Sequence, residues 1–233
     1  MKKHYPWLWF DADNTLFDYN KAETTALLKT FESVGLTFDA KYMPIYQNIN
    51  QKLWSDLERQ QIKQEVLRVR RFELLLEALT LTDAVPANPE QLSLVYIEQL
   101  GLCADLTDGA YEVLDALHKT CKIAIVTNGL KAVQRSRLEL STIKHFISEI
   151  IISEEIGAAK PHAAFFDTAF ARTGNPPKSD VLIIGDSLSS DMQGGADYGI
   201  DTCWFNPNGE GRPENLSINY EIIKLNGLLN LIQ

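Results

Sequence analysis

The chain has 233 residues, 45% of them hydrophobic and 23% charged, which excludes disordered, collagen-like and fibrous classes and provides for a core that needs no disulfide or metal staple. At about 150 residues per domain, that length predicts one to two domains. Thirty-one acidic against 22 basic residues give a net charge of −9, so nucleic acid and anionic membrane surfaces are excluded as partners, and an anionic substrate needs positive charge gathered locally.

In chain order, the opening MKKHYPWLWFDADNT is basic and then apolar. Its apolar run, Trp7–Phe10, stops at Asp11, too short for a signal core or a membrane span, and reads as a strand. More than a hundred residues without a strand-like run follow. Ala22–Phe31 and Ile45–Leu57 have helical patterns, and Val69, Phe72, Leu75, Leu76 and Leu79 fall at helical spacing. Gly35 and the PANPE stretch at Pro86–Glu90 punctuate this segment. A helix is predicted over Tyr111–Lys119 with Thr107 and Asp108 as N-cap residues. Thereafter strands at Lys122–Val126, Glu149–Ile152, Val181–Ile184 and Thr202–Phe205 alternate with helices at Lys131–Leu140, Ala163–Arg172 and Ser189–Tyr198. Gly174 and Gly199 are the C-terminal stops of the last two. The pattern predicts an α/β fold: a doubly wound, Rossmann-like parallel-sheet core over residues 1–18 and 101–233, with an all-helical unit inserted at 19–100. Cys103, Cys121 and Cys203 are odd in number and form no CxxC pair, so reduced thiols of a cytoplasmic protein are expected rather than a disulfide framework or a zinc site.

Ligands in open α/β sheets bind beyond the carboxyl ends of the strands. Those ends release Asp11 and Asp13, then Thr127, Asn128 and Gly129, then a loop carrying Lys160, then Gly185, Asp186 and Ser187 with Asp191 nearby. With unperturbed pKa values near 3.9 these aspartates are expected to be ionised at neutral pH. Two such charges about 4 Å apart repel by roughly 1 kcal/mol in water and about 4 at an effective dielectric of 20, so their convergence calls for a cation. All-oxygen ligation without His or Cys selects a hard ion, and Mg2+ favours one or two carboxylates together with water and substrate phosphate. Lys160, Thr127 and Asn128 are then the donors for a phosphate. Magnesium beside an aspartate nucleophile points to an aspartyl-phosphate mechanism.

Asp11-Ala12-Asp13-Asn14-Thr15-Leu16 after an apolar strand resembles the first motif of the haloacid dehalogenase superfamily of phosphohydrolases. Thr127-Asn128-Gly129 resembles the second, Lys160-Pro161 the third, and Gly185-Asp186-Ser187 through Asp191 the fourth. The four stand in the family's order, and the resemblance covers the whole chain, a helical cap included. It implies that Asp11 attacks phosphorus and that Asp13 protonates the leaving alcohol and then deprotonates water. It also implies that Asp11, the Asp13 carbonyl and Asp186 hold magnesium, and that Thr127, Asn128 and Lys160 bind the phosphoryl group. Asp191 supports the metal's water shell or orients Lys160, and the cap excludes water. Most of the superfamily has glycine where this chain has Asn14, a residue that tolerates the left-handed turn. DxDNTLFD with Leu53-Trp54 and Arg71-Phe72 is similar to the pyrimidine nucleoside 5′-monophosphatase branch.

Other readings stand beside these. Asp191 is also placed to cap a helix. Trp54 is a candidate for stacking on a nucleobase or for the helical core. Arg68, Arg70 and Arg71 read as a solvated charged face, and His4, His118, His145 and His162 share no metal spacing. The expected substrate is a small phosphorylated metabolite, a nucleoside 5′-monophosphate first. The alternatives are a sugar-phosphate or phosphoglycolate phosphatase, a phosphosugar mutase, a 2-haloacid dehalogenase (against which Asp13 argues) and a non-catalytic binding protein. The sequence leaves the oligomeric state open.

Overall fold

A computed structural model describes residues 3–81 and 88–232. Its first strand, β1 (Trp7–Phe10), is buried along its whole length and lies in the middle of a six-stranded sheet. The others are β2 (Lys122–Thr127), β3 (Ile147–Ile152), β4 (Val181–Gly185), β5 (Asp201–Phe205) and β6 (Tyr220–Ile222), in the order β3-β2-β1-β4-β5-β6. Every adjacent pair is parallel. The strands read in the sequence are all present. β6 is an addition: three residues at the sheet edge with one buried side chain, too brief to carry a strand pattern.

Successive strand residues face opposite sides of a sheet, and both sides here are apolar. Leu8, Phe10, Ile123, Ile125, Leu182 and Ile184 join one buried cluster, covered by Val113, Leu114 and Leu117. Trp7, Trp9, Ala124, Val126, Val181 and Ile183 join another, covered by Phe165, Phe166 and Phe170. This burial on both faces is what near-continuous apolar strands demand of a parallel sheet.

Between β1 and β2 run α1 (Tyr19–Glu32), α2 (Met43–Glu58), α3 (Gln64–Ala78), α4 (Pro89–Gly101) and α5 (Ala110–Leu117). The first four share a core of Leu27, Phe31, Tyr46, Phe72, Leu92 and Tyr96, which continues onto Leu130 and Val133 of the α/β layer. Helix α4 is announced by a capping box at Asn88 and Gln91 and by Pro89 in its first turn. Pro86 and Ala87, part of the expected punctuation, lie outside the described residues. Beyond β2 come α6 (Lys131–Leu140), α7 (Ser153–Ile156), α8 (Ala163–Arg172), α9 (Gln193–Tyr198) and α10 (Leu228–Leu231).

Three expectations are corrected. Thr107 and Asp108 do not cap α5; the helix starts behind Gly109, whose φ of +83° makes the entry turn, with no side-chain cap. The segment read as one helix over 189–198 is a π-helical turn, Leu188–Met192, followed by α9, and the Met192 amide reaches back to the Ser187 carbonyl at 3.1 Å. The arginines of α3 are not a single solvated face. Neighbours on a helix point about 100° apart, so Arg70 pairs outward with Glu73 at 2.7 Å while Arg71 is buried, 4.4 Å from the Tyr96 ring centroid.

Candidate active site

The site is built where β1 ends. The Asp11 amide donates to the Ile184 carbonyl at 2.8 Å, carrying the ladder one residue past the strand and fixing Asp11 between β2 and β4. The chain then turns back sharply: the Leu16 and Phe17 amides donate to the Ala12 carbonyl at 3.0 and 2.9 Å, and the Asn14 amide donates to the Phe17 carbonyl at 2.9 Å. Asn14 sits at φ +59°, the left-handed conformation its identity anticipated.

Lys160 is almost wholly buried and bridges the aspartates. Its Nζ donates to Asp11 Oδ1 at 2.7 Å, to Asp191 Oδ1 at 2.6 Å and to the Val126 carbonyl at 2.7 Å. Burial works against the ammonium, but Asp11 and Asp191 overcome it and hold the proton more firmly than usual. The loop carrying Lys160 is clamped by one side chain: Asn128 Nδ2 donates to the Lys160 carbonyl at 2.9 Å, and the Lys160 amide donates to Asn128 Oδ1 at 2.8 Å. Thr127 Oγ1 accepts from the Gly129 amide at 2.9 Å. Thr127 and Asn128 thus shape this turn and the loop carrying Lys160.

Asp191 comes from the π-helical turn that follows β4. Its Oδ2 also accepts from the Ser187 amide at 3.2 Å. A Cβ on Gly185 would lie 2.2 Å from that same oxygen, so the close approach requires glycine there. Asp186, one residue past β4, touches Thr15 Oγ1 at 3.5 Å, and its carbonyl accepts from the Trp204 indole at 3.0 Å.

Ligand oxygens of Asp11, Asp186 and Asp191 lie within 4.8 Å of one another. The expectation that the aspartates ionise readily at neutral pH is corrected at Asp11 and Asp186. Burial lifts the Asp11 carboxyl well above the ordinary range, Lys160 opposing and Asp191, Asp186 and Asp13 adding to the rise. Burial, then the neighbouring Asp191, raises Asp186 to about 7. Ionising all three carboxylates would leave two net negative charges around one ammonium; a divalent hard cation would offset them, and this all-oxygen donor set offers soft metals nothing.

Asp11, Asp13, Trp54, Thr127, Asn128, Lys160 and Asp186 line one cavity of about 960 Å³. Asp191 stands behind Lys160. Trp54 is half-buried and faces this cavity, not the helical core, and Tyr19, Asn50 and Glu58 line it beside Trp54. The helical layer is tied to the sheet's loops around the cavity. Glu58 Oε2 accepts from Ser189 Oγ at 3.0 Å, the Glu58 carbonyl accepts from His162 Nε2 at 3.0 Å, and Gln64 Nε2 donates to the Asn128 carbonyl at 3.1 Å.

Besides Tyr19, Asn50 and Glu58, two residues that touch a predicted site carboxylate were not anticipated. Gln134 and Arg137, one helical turn apart on α6, both reach the Asp13 carboxylate. The available signal was two polar residues at i, i+3 sharing a face with Val133, which the helix turns inward.

Comparisons with known proteins show the family. Residues 8–205 match the model of the haloacid dehalogenase-like hydrolases. Pyrimidine 5′-nucleotidase YjjG of Escherichia coli (strain K12) is 34% identical over 98% of each chain, and pyrimidine 5′-nucleotidase PynA of Streptococcus pneumoniae is 31% identical over 98% of this chain and 95% of its own. A crystal structure of the HAD-hydrolase YfnB from Bacillus subtilis, bound to magnesium and described as revealing interdomain movement, superposes with a TM-score of 0.90 at 33% identity over 98% of each chain. The chain therefore belongs to the haloacid dehalogenase-like hydrolase family.

Proposed function

We propose that this hydrolase is a Mg2+-dependent phosphomonoesterase that cleaves nucleoside 5′-monophosphates through an aspartyl-phosphate on Asp11. The observation that carries the reading is the Asp11–Lys160–Asp191 chain beside Asp186: a buried carboxylate at a strand end, held by an ammonium next to a cluster of cation-binding oxygens.

Asp11, Asp186 and the Asp13 carbonyl would hold magnesium, which when bound offsets the cluster's negative charge and that of the phosphate. Asp11 Oδ attacks phosphorus, and the ester P–O bond breaks. Asp13 gives its proton to the departing alcohol oxygen and then takes one from the water that hydrolyses the aspartyl-phosphate. Lys160, Thr127 and Asn128 face the phosphoryl oxygens, and Asp191 keeps Lys160 aimed at Asp11. Residues 19–100 act as a cap over a core of 1–18 and 101–233, and they supply the wall of the cavity that meets the rest of the substrate. Trp54 stacks on the base. The two pyrimidine 5′-nucleotidases above support the nucleotide reading. Among the described residues no helix is long and apolar enough to cross a membrane, and the three cysteines are free, which supports a reducing, cytosolic setting.

Asp11→Asn is expected to abolish turnover of p-nitrophenyl phosphate while leaving the circular dichroism spectrum unchanged, and EDTA to abolish wild-type turnover until magnesium is restored. Retained activity in Asp11→Asn would refute the nucleophile. A panel of nucleotides, sugar phosphates and phosphoglycolate at fixed magnesium tests the substrate: indifference to the base sinks the nucleotide assignment but not the chemistry.

A further inference from the structure

The Asp13 carboxylate is held at both oxygens by one face of α6. Oδ2 accepts from Gln134 Nε2 at 2.7 Å, and Oδ1 is ion-paired with Arg137 Nη1. Gln134 is 1% exposed and Arg137 is fully buried, its guanidinium 5.2 Å from the Phe17 ring centroid. Arg137 Nε and Nη2 and Gln134 Oε1 have no hydrogen-bond partner among the described residues. A buried guanidinium is costly unless paired, and here its one ion pair among the described residues is with Asp13. Gly129 belongs to the same arrangement: a Cβ there would lie 2.1 Å from Gln134 Nε2, so the glycine of the β2 turn leaves the room in which Gln134 crosses to Asp13.

A pair that merely built the core would be cheaper as leucine and methionine. Instead two desolvated polar side chains, a helical turn apart, converge on one carboxylate that lines the cavity. From this geometry we infer that Arg137 and Gln134 are positioning residues for proton transfer by Asp13. They fix its side-chain rotamer so that one carboxyl meets first the leaving oxygen and then the attacking water. The inference rests on the acid–base role of Asp13 proposed above.

Leaving-group chemistry tests it. p-Nitrophenolate departs without a proton, whereas the alcohol of a nucleoside monophosphate does not. In Arg137→Met and Gln134→Leu, kcat for a nucleoside 5′-monophosphate is expected to fall about 100-fold, the lower range for general acid–base catalysis, with KM changed less than threefold. The pre-steady-state burst of p-nitrophenol should survive, and Arg137→Lys should restore part of kcat. Gly129→Ala, which displaces Gln134 by the added Cβ while leaving Gln134 and Arg137 unsubstituted, should show the same kcat-against-KM split. Thermal melting and circular dichroism confirm that the compared variants are folded; should Arg137→Met fail to fold, Gln134→Leu and Arg137→Lys carry the test. Wild-type kcat on nucleotides in folded Gln134→Leu and Arg137→Lys, or loss of the burst in step with nucleotide turnover, would overturn the inference. Asp13→Asn separates the two layers: if it is active on both substrates, the role of Asp13 fails; if it is inactive on nucleotides while the α6 variants are normal, only the positioning role fails.

Discussion

Replacing Lys160 by methionine would leave Asp11 and Asp191 facing each other in a buried pocket with the ammonium between them gone. Removing one partner of a buried ion pair costs about 3 kcal/mol or more, so Lys160→Met is expected to lose roughly that much in urea unfolding with EDTA present. The loss should shrink with saturating magnesium, which supplies positive charge to the same oxygens. An equal loss in both conditions would show that the cation and the lysine do not share the cluster. Much of this residue-level picture is legible from the sequence, because the strand-end rule brings Asp11, Thr127, Lys160 and Asp186 to one edge. What it does not reveal is partnership. That Asn128 clamps the Lys160 backbone, that Arg71 is buried among tyrosines, and that Arg137 reaches Asp13 all depend on which side of a helix meets which loop. Those contacts span from 25 to 124 residues of chain, and no local pattern encodes them.

Helix α4 is set by its first turn. Asn88 Oδ1 accepts from the Gln91 amide at 2.9 Å, and Gln91 Oε1 accepts from the Asn88 amide at 3.2 Å. Asn88→Ala is therefore expected to destabilise the protein by about 1 kcal/mol, seen as a melting temperature lower by about 2–4 °C for a chain of this size. No change would mean that packing of Leu92, Tyr96 and Leu100 alone fixes where the helix begins. Elements set by the strand–helix alternation are readable: α6 and α8 run over the residues that the gaps between strands indicate. Departures occur where another force sets the boundary. Gly109 begins α5 by backbone conformation, the π-helical turn carries Asp191, whose carboxylate packs against Gly185, and β6 is defined by its ladder to β5 more than by its own residues.

At the scale of the molecule, a helical layer inserted after the central strand hangs over the sheet's carboxyl edge, held there by Glu58 and Gln64. The proposed function assigns substrate choice to this layer and bond cleavage to the other. Trp54→Ala tests that division: with stacking worth roughly 1–3 kcal/mol, KM for nucleoside monophosphates should rise about tenfold, while ribose 5-phosphate, which has no base, is hydrolysed as before. Equal effects on both would return Trp54 to a structural role. The bond from the Trp204 indole to the Asp186 carbonyl has an optical consequence. A buried fluorophore is wired to the backbone of the residue assigned to the cation, so its emission should shift as magnesium is titrated in, without dye or label. Trp204→Phe should silence that signal while Trp7, Trp9 and Trp54 continue to emit, giving a binding curve that can be read before any substrate is added.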